Sequence, residues 1–240
     1  MTQPNQGSVL ALPARSLVLR ALDSVIDPEI DEPVTSLGFV ASCEVGDDGV
    51  AEVHLRLPTY FCAPNFAFLM VADAYEAVAA VPGVTRAVVL LDDHFASTDI
   101  NAGVAARAGF VESFGSLADG ELDTLRADFV RKAVLAGTDR VVRQLRRTPA
   151  ELATLTLADL PHSDDVDRLR ARRAQLGLPA GDDAPLLIDV RTGAAVAPDD
   201  LRLHLGKARL TRVNLEANGH VCKGMLANRY GLPVDPEGDD

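Results

Sequence analysis

Apolar positions at 17, 19, 22, 25 and 26 form one stripe and predict a helix over residues 14–26. Asp27-Pro28-Glu29 closes it, because a proline biases the residue before it towards extended backbone. After a loop from Pro33 to Leu37, two β-compatible stretches follow, Phe39–Val45 and Val50–Leu57. The turn signal Asp47-Asp48-Gly49 between them predicts a β-hairpin. Pro64 suits the first turn of a helix. Phe66, Leu69, Met70, Ala74, Tyr75 and Val78 then recur at helical spacing until Pro82-Gly83 breaks the run. Valine-rich Val84–Leu91 reads as a third strand. The order helix, strand, strand, helix, strand predicts a small α+β domain over residues 1–92.

The pattern changes after residue 92. Residues 93–118 read as a connecting segment in which Ser97 or Thr98 caps a short helix near Ile100. Phe110, Val111 and Phe114 are too apolar for a flexible linker and are expected to be buried at a junction. Glu121–Arg147 carries the longest amphipathic signal, and Val166–Leu176 a second one, ended by Gly177. Leu186–Val190 and Ala194–Val196 flank a turn and predict a small hairpin. Leu201–Leu210 and Val213–Tyr230 read as two closing helices. Residues 119–240 are thus expected to be mainly helical with one small hairpin, and the fold class is α+β.

Composition narrows the possible roles. At 240 residues and 48% hydrophobic, the chain has ample material for a core. A net charge of −12 opposes nucleic-acid binding, which needs a basic footprint. No apolar run reaches the ~18 residues of a membrane span. Met1–Gly7 lacks the charged-then-apolar profile of a signal peptide. Cys43, Cys62 and Cys222 are too few and scattered for a disulfide framework. These features predict a soluble, cytoplasmic protein with reduced thiols and no membrane partner.

The candidate chemistry centres on Cys62. It lies in Pro58-Thr59-Tyr60-Phe61-Cys62-Ala63-Pro64, at a strand-to-helix turn. Backbone N–H groups point outward there and the helix dipole favours negative charge, which suits a metal ligand or a nucleophile. A small buried hydrophobe is the alternative role. Asp92, Asp93 and His94 follow the third strand directly, and two carboxylates with an imidazole suit iron. An exposed acidic turn is the alternative. Asp27 and Glu29 flank Pro28 as a capped turn or as carboxylates near Cys62. Arg140, Arg143, Arg146 and Arg147 cluster at the end of the long helix as a solvated face or an acidic-partner patch. No phosphate-binding loop, nucleophile elbow or zincin motif is present, so the chain is not expected to be an enzyme. A cysteine-dependent enzyme with His94 as base is the weakest reading.

Four motifs together resemble one family. Asp27-Pro28-Glu29-Ile30, Leu37-Gly38-Phe39-Val40, Leu57 to Pro64, and Val81-Pro82-Gly83-Val84 with Val88–Leu91 are similar to the metal–sulfur cluster assembly factors, including their PaaD-like members. Alanine stands at 63, where the family commonly has proline directly after the cysteine. The resemblance covers the first 92 residues and implies the same α+β fold. It implies a functional cysteine at Cys62 and a shared surface bearing Asp27 and Glu29; Thr59, in the same stretch as Cys62, is a further candidate binding residue. It also implies iron or an iron–sulfur cluster as transient cargo. The expected partners are iron–sulfur carrier proteins and a client metalloenzyme or its reductase, such as a multicomponent di-iron monooxygenase. A metal-free assembly chaperone is the alternative, and a site shared across a homodimer stays open. Arg143 and Arg147 are the expected client contacts.

Overall fold

The computed structural model describes residues 14–109, 113 and 121–233. Phe110, Val111 and Phe114 lie outside the described residues. The chain divides into two compact units, Met1–Val25 with Pro33–Gly109, and Ile26–Glu32 with Phe110–Asp240.

The first unit is α+β. Helix α1 (Ala14–Leu22) stops earlier than the apolar stripe suggests. The Ser24 hydroxyl donates to the Ala21 carbonyl at 2.7 Å and tightens the chain into a turn. Ile26–Asp27 and Glu32–Pro33 form a two-stranded pair, β1 and β2, all of which except Pro33 groups with the second unit. Strands β3 (Val40–Val45), β4 (Val50–Leu55) and β5 (Arg86–Leu91) make the main sheet in the order β3-β4-β5. β3 and β4 are the antiparallel hairpin; β4 and β5 are parallel. A parallel pair needs a crossover, and α2 (Pro64–Ala79) supplies it. Gly49 turns the hairpin at φ +79°, and a Cβ there would stand 2.7 Å from the Gly83 carbonyl oxygen. Alternation in β4 sends Ala51, Val53 and Leu55 into the core. Glu52 and His54 occupy the opposite face. Helix α3 runs Ser97–Ala105, with Ala96 rather than a hydroxyl residue at its N-cap. It packs on α2 and β5, so the first unit reaches Gly109.

The second unit is mainly helical. It contains α4 (Glu121–Leu145), α5 (Pro149–Leu152), α6 (Asp164–Gln175) and α7 (Leu201–Tyr230). Val134, Val141, Leu152, Leu157, Leu169 and Leu186 build its core. The small hairpin shrinks to a single antiparallel bridge, Ile188 with Ala195. Asp189 accepts the amides of Arg191 and Thr192 at 2.9 Å, which turns the chain before a ladder can extend. The two expected closing helices are one continuous helix. Thr211 satisfies its hydroxyl on the Lys207 carbonyl one turn back (2.9 Å). Arg212 is anchored to Asp139 at 2.6 Å and to Glu216, so nothing interrupts the ladder.

Arg173 is wholly buried in this unit and donates to the carbonyls of Pro185 (2.9 Å) and Leu186 (2.5 Å). Burial holds its pKa down to about 10, still far enough above neutrality for a guanidinium to remain charged. No helix among the described residues is long and apolar enough to cross a membrane.

Candidate functional site

Cys62 ends the short turn between β4 and α2, two residues before Pro64 opens the helix. Its side chain is half-buried, unlike Cys43, which is buried in β3. Thr59 Oγ1 lies 3.2 Å from Cys62 Sγ and accepts the Phe61 amide at 3.2 Å. With a lone pair taken by that amide, the hydroxyl proton is available to the sulfur. His94 is 3% exposed and is brought directly beneath the turn. Its Nδ1 accepts the Ala96 amide at 3.2 Å, which leaves Nε2 to donate to the Cys62 carbonyl at 2.8 Å. His94 therefore braces the backbone of the cysteine turn.

The other residues of the candidate set separate. Asp92 faces His54, whose Nδ1 lies 3.0 Å from both carboxylate oxygens, and Glu52 takes the other ring nitrogen at 3.0 Å. Hydrogen bonds to Asp92 and then Glu52 raise the His54 pKa above its ordinary value. Asp93 is exposed at φ +51°. Among the described residues no three His, Cys, Asp or Glu side chains are grouped to hold a metal ion. The donor set at the turn is a single thiol.

Sequence reasoning did not single out the aromatic surround as a feature. Tyr60, Phe61 and Phe95 are 44%, 77% and 49% exposed. Their ring centroids lie 5.1 Å (Tyr60–Phe61), 6.1 Å (Phe61–Phe95) and 6.4 Å (Tyr60–Phe95) apart. The Phe95 amide donates to the Tyr60 carbonyl at 3.2 Å, tying the two loops together. In a chain only 5% aromatic, the placement of Tyr60-Phe61 beside Cys62 was the available signal.

Asp27 and Glu29 sit in the segment Ile26–Glu32, which groups with the helical unit. Asp27 Oδ1 accepts the Glu29 amide (2.8 Å) and the Ile30 amide (3.0 Å), the pattern of a capped turn. Burial pushes its pKa up to about 6 against the lowering effect of those amides. Asp31, which the sequence did not single out, is more tightly engaged. It accepts Arg172 Nε at 2.8 Å and lies 2.7 Å from Arg172 Nη2 and 3.6 Å from Arg140 Nη1. Lys223 reaches Glu32 at 2.8 Å. Arg140 is thus turned inward to Asp31 and Glu216. Arg143 and Arg147 are exposed, with Arg147 3.7 Å from Glu151.

The comparisons with known proteins fall on the region that carries the β3-β4-β5 sheet, the crossover helix and the cysteine turn. The family model for iron–sulfur cluster assembly protein matches residues 15–89, and through that region the chain belongs to this family. An iron–sulfur cluster carrier protein of Mycobacterium tuberculosis is 39% identical over 72 residues, 30% of this chain and 18% of the relative. The carrier of Mycobacterium bovis matches to the same extent. An uncharacterized protein of Methanocaldococcus jannaschii is 32% identical over 84 residues, 35% of this chain and 86% of that protein. The chain therefore spans less than a fifth of the carrier proteins it matches. No solved structure matches it.

Proposed function

We propose that this protein is a non-catalytic maturation factor that handles iron or an iron–sulfur cluster transiently at Cys62 and passes it to a client metalloenzyme. The observation that carries the reading is the half-buried thiol of Cys62, backed by Thr59 and His94 and bordered by three exposed aromatic rings, on the family-matching unit. One thiolate per copy suits handover, since a resident cluster ordinarily takes four protein ligands. Two copies meeting at this turn, or a carrier or client supplying its own thiolates, complete the coordination. The aromatic rings offer apolar contact area of the kind that anchors interfaces. A multicomponent di-iron monooxygenase, or its iron–sulfur reductase, is the client class that the PaaD-like resemblance supports. Arg143 and Arg147 are proposed as client contacts on the helical unit, and the cytoplasm as the place of action.

Anaerobic reconstitution with ferrous iron and sulfide, followed by transfer to an apo-ferredoxin acceptor, tests the reading. Cys62→Ala should unfold like the parent, because a half-buried turn thiol contributes little packing, and should lose cluster absorbance and transfer. Unchanged transfer by Cys62→Ala would overturn the cluster reading. A metal-free assembly chaperone is favoured instead by the exposed aromatic surround. In that case Phe61→Ala, not Cys62→Ala, abolishes client maturation.

A further inference from the structure

Helix α7 has an inner and an outer apolar face. Leu201, Ala208, Leu215 and Leu226 are buried. Leu203, Leu210, Val213, Val221 and Met225 lie on the other side and are 43–62% exposed. Their spacing of three, four and seven residues, with one gap of eight, keeps them on a single stripe. At 30 residues the helix is about 45 Å long. The stripe runs along most of it.

Two glycines share this outer face. A Cβ added at Gly206 or Gly224 meets no atom within 4 Å. Glycine inside a helix costs about 1 kcal/mol relative to alanine. No described neighbour requires the missing side chain at either position. Glycine does allow another backbone to approach closely.

The charge on α7 is one-sided. It carries Arg202, Lys207, Arg209, Arg212, Lys223 and Arg229 against one carboxylate, Glu216, in a protein of net charge −12. Arg212 is held by Asp139 and Glu216, and Lys223 by Glu32. Arg202, Lys207 and Arg209 border the outer stripe. Beside its first turns lies a cleft of about 910 Å³, lined among others by Phe129, Lys132, Arg191, Val196, Leu203 and Lys207. Its Asp128 is 2.7 Å from Arg131, and Asp189 is occupied by backbone amides. Arg131, Lys132, Arg191 and Lys207 thus face Asp128, Asp189 and Asp200, a net charge of +1. A second copy of α7 laid on this face in either direction brings no carboxylate to these cations.

We propose that the outer face of α7, with the adjoining cleft, is a docking groove for an acidic amphipathic helix of a partner protein. The apolar stripe of that helix covers Leu203, Leu210 and Val221, and its carboxylates meet Lys207, Arg202 and Arg209.

The test is fluorescence anisotropy on the full chain with two synthetic helical peptides. Both carry leucines at heptad a and d; one has glutamates at the flanking positions and the other lysines. The glutamate peptide should bind at least tenfold tighter, and its affinity should fall several-fold at high salt because exposed charges are screened. Leu210→Asp with Val221→Asp should abolish binding while retaining the parent helical circular dichroism. Gly206→Ala with Gly224→Ala should raise the unfolding midpoint and weaken binding. Cys62→Ala should leave binding unchanged, so the groove and the cluster reading fail separately. Equal binding of both peptides, no binding of either, or binding that survives the aspartate pair would overturn the groove. So would a parent dimer that Leu210→Asp with Val221→Asp renders monomeric, since the occupant would then be a second copy.

Discussion

Two turns from the family-matching region meet opposite fates. The Cys62 turn is half-open, and neutral hydrogen bonds from Thr59 and His94 hold it. The turn through Asp27 to Glu32 is largely buried, and ionic partners from the helical unit, Arg140, Arg172 and Lys223, hold it. Both lie within residues 15–89, yet only the first groups with the α+β unit. The family region is therefore not the same thing as the compact unit. The helical half takes one family loop into its own structure and leaves the cysteine loop to the first unit.

The largest effect should come from the buried ion pair. Asp31 sits at φ +62°, which asparagine tolerates, so Asp31→Asn removes charge without adding backbone strain. It leaves Arg172 without its countercharge and Arg140 with Glu216 alone, and should cost about 3 kcal/mol in urea unfolding. A loss below about 1 kcal/mol would mean that packing, not charge, secures this segment.

His94→Ala should cost about 2 kcal/mol by removing a buried ring that makes two hydrogen bonds. Both bonds run to backbone groups rather than to charged side chains, so losing them should cost much the same at low and high salt. A salt-dependent cost would erase the contrast between the two turns.

Asp27→Asn is a smaller effect of opposite sign. The folded pKa, about 6, is above the ordinary 3.8, so the folded state binds the extra proton between those values. The associated stability is fully present below pH 3.8 and is lost as pH rises through 6. Asparagine keeps the acceptor oxygen for the Glu29 and Ile30 amides and never ionises. A shift of that size is worth up to about 3 kcal/mol at pH 7; after the ~1–2 kcal/mol cost of burying an unpaired amide NH2, the variant should be more stable than the parent by about 1 kcal/mol, an advantage that should disappear as the pH falls to 4. Thermal unfolding across pH 4–7 measures it, and a constant gap would place the ionisable group elsewhere.

The elements were legible where periodicity and turn chemistry coincide. Pro64 opening α2, the Asp47-Asp48-Gly49 hairpin and the valines of β5 are local signals, and all three elements form as read. The proximity of His94 to Cys62 was legible because a residue just after a strand end stays near that end. Its orientation was not, because the Cys62 carbonyl and the Ala96 amide fix it. Asp31 carried no local signal at all, since Arg172 lies 141 residues further along the chain. The break expected near Thr211 failed for a similar reason: Asp139 on α4 anchors Arg212.

That distance also sets an order of events during synthesis. The first unit has all of its strands once Leu91 has been made, while Asp31 must wait for Arg172 and Glu32 for Lys223. At roughly 5–20 residues per second, the acidic loop spends on the order of ten seconds or more outside the ribosome before its cations arrive. In that interval the nascent chain carries a finished cysteine turn beside an unpaired acidic loop. The arrival of α6 and then of α7 converts that loop from an exposed surface into an interior.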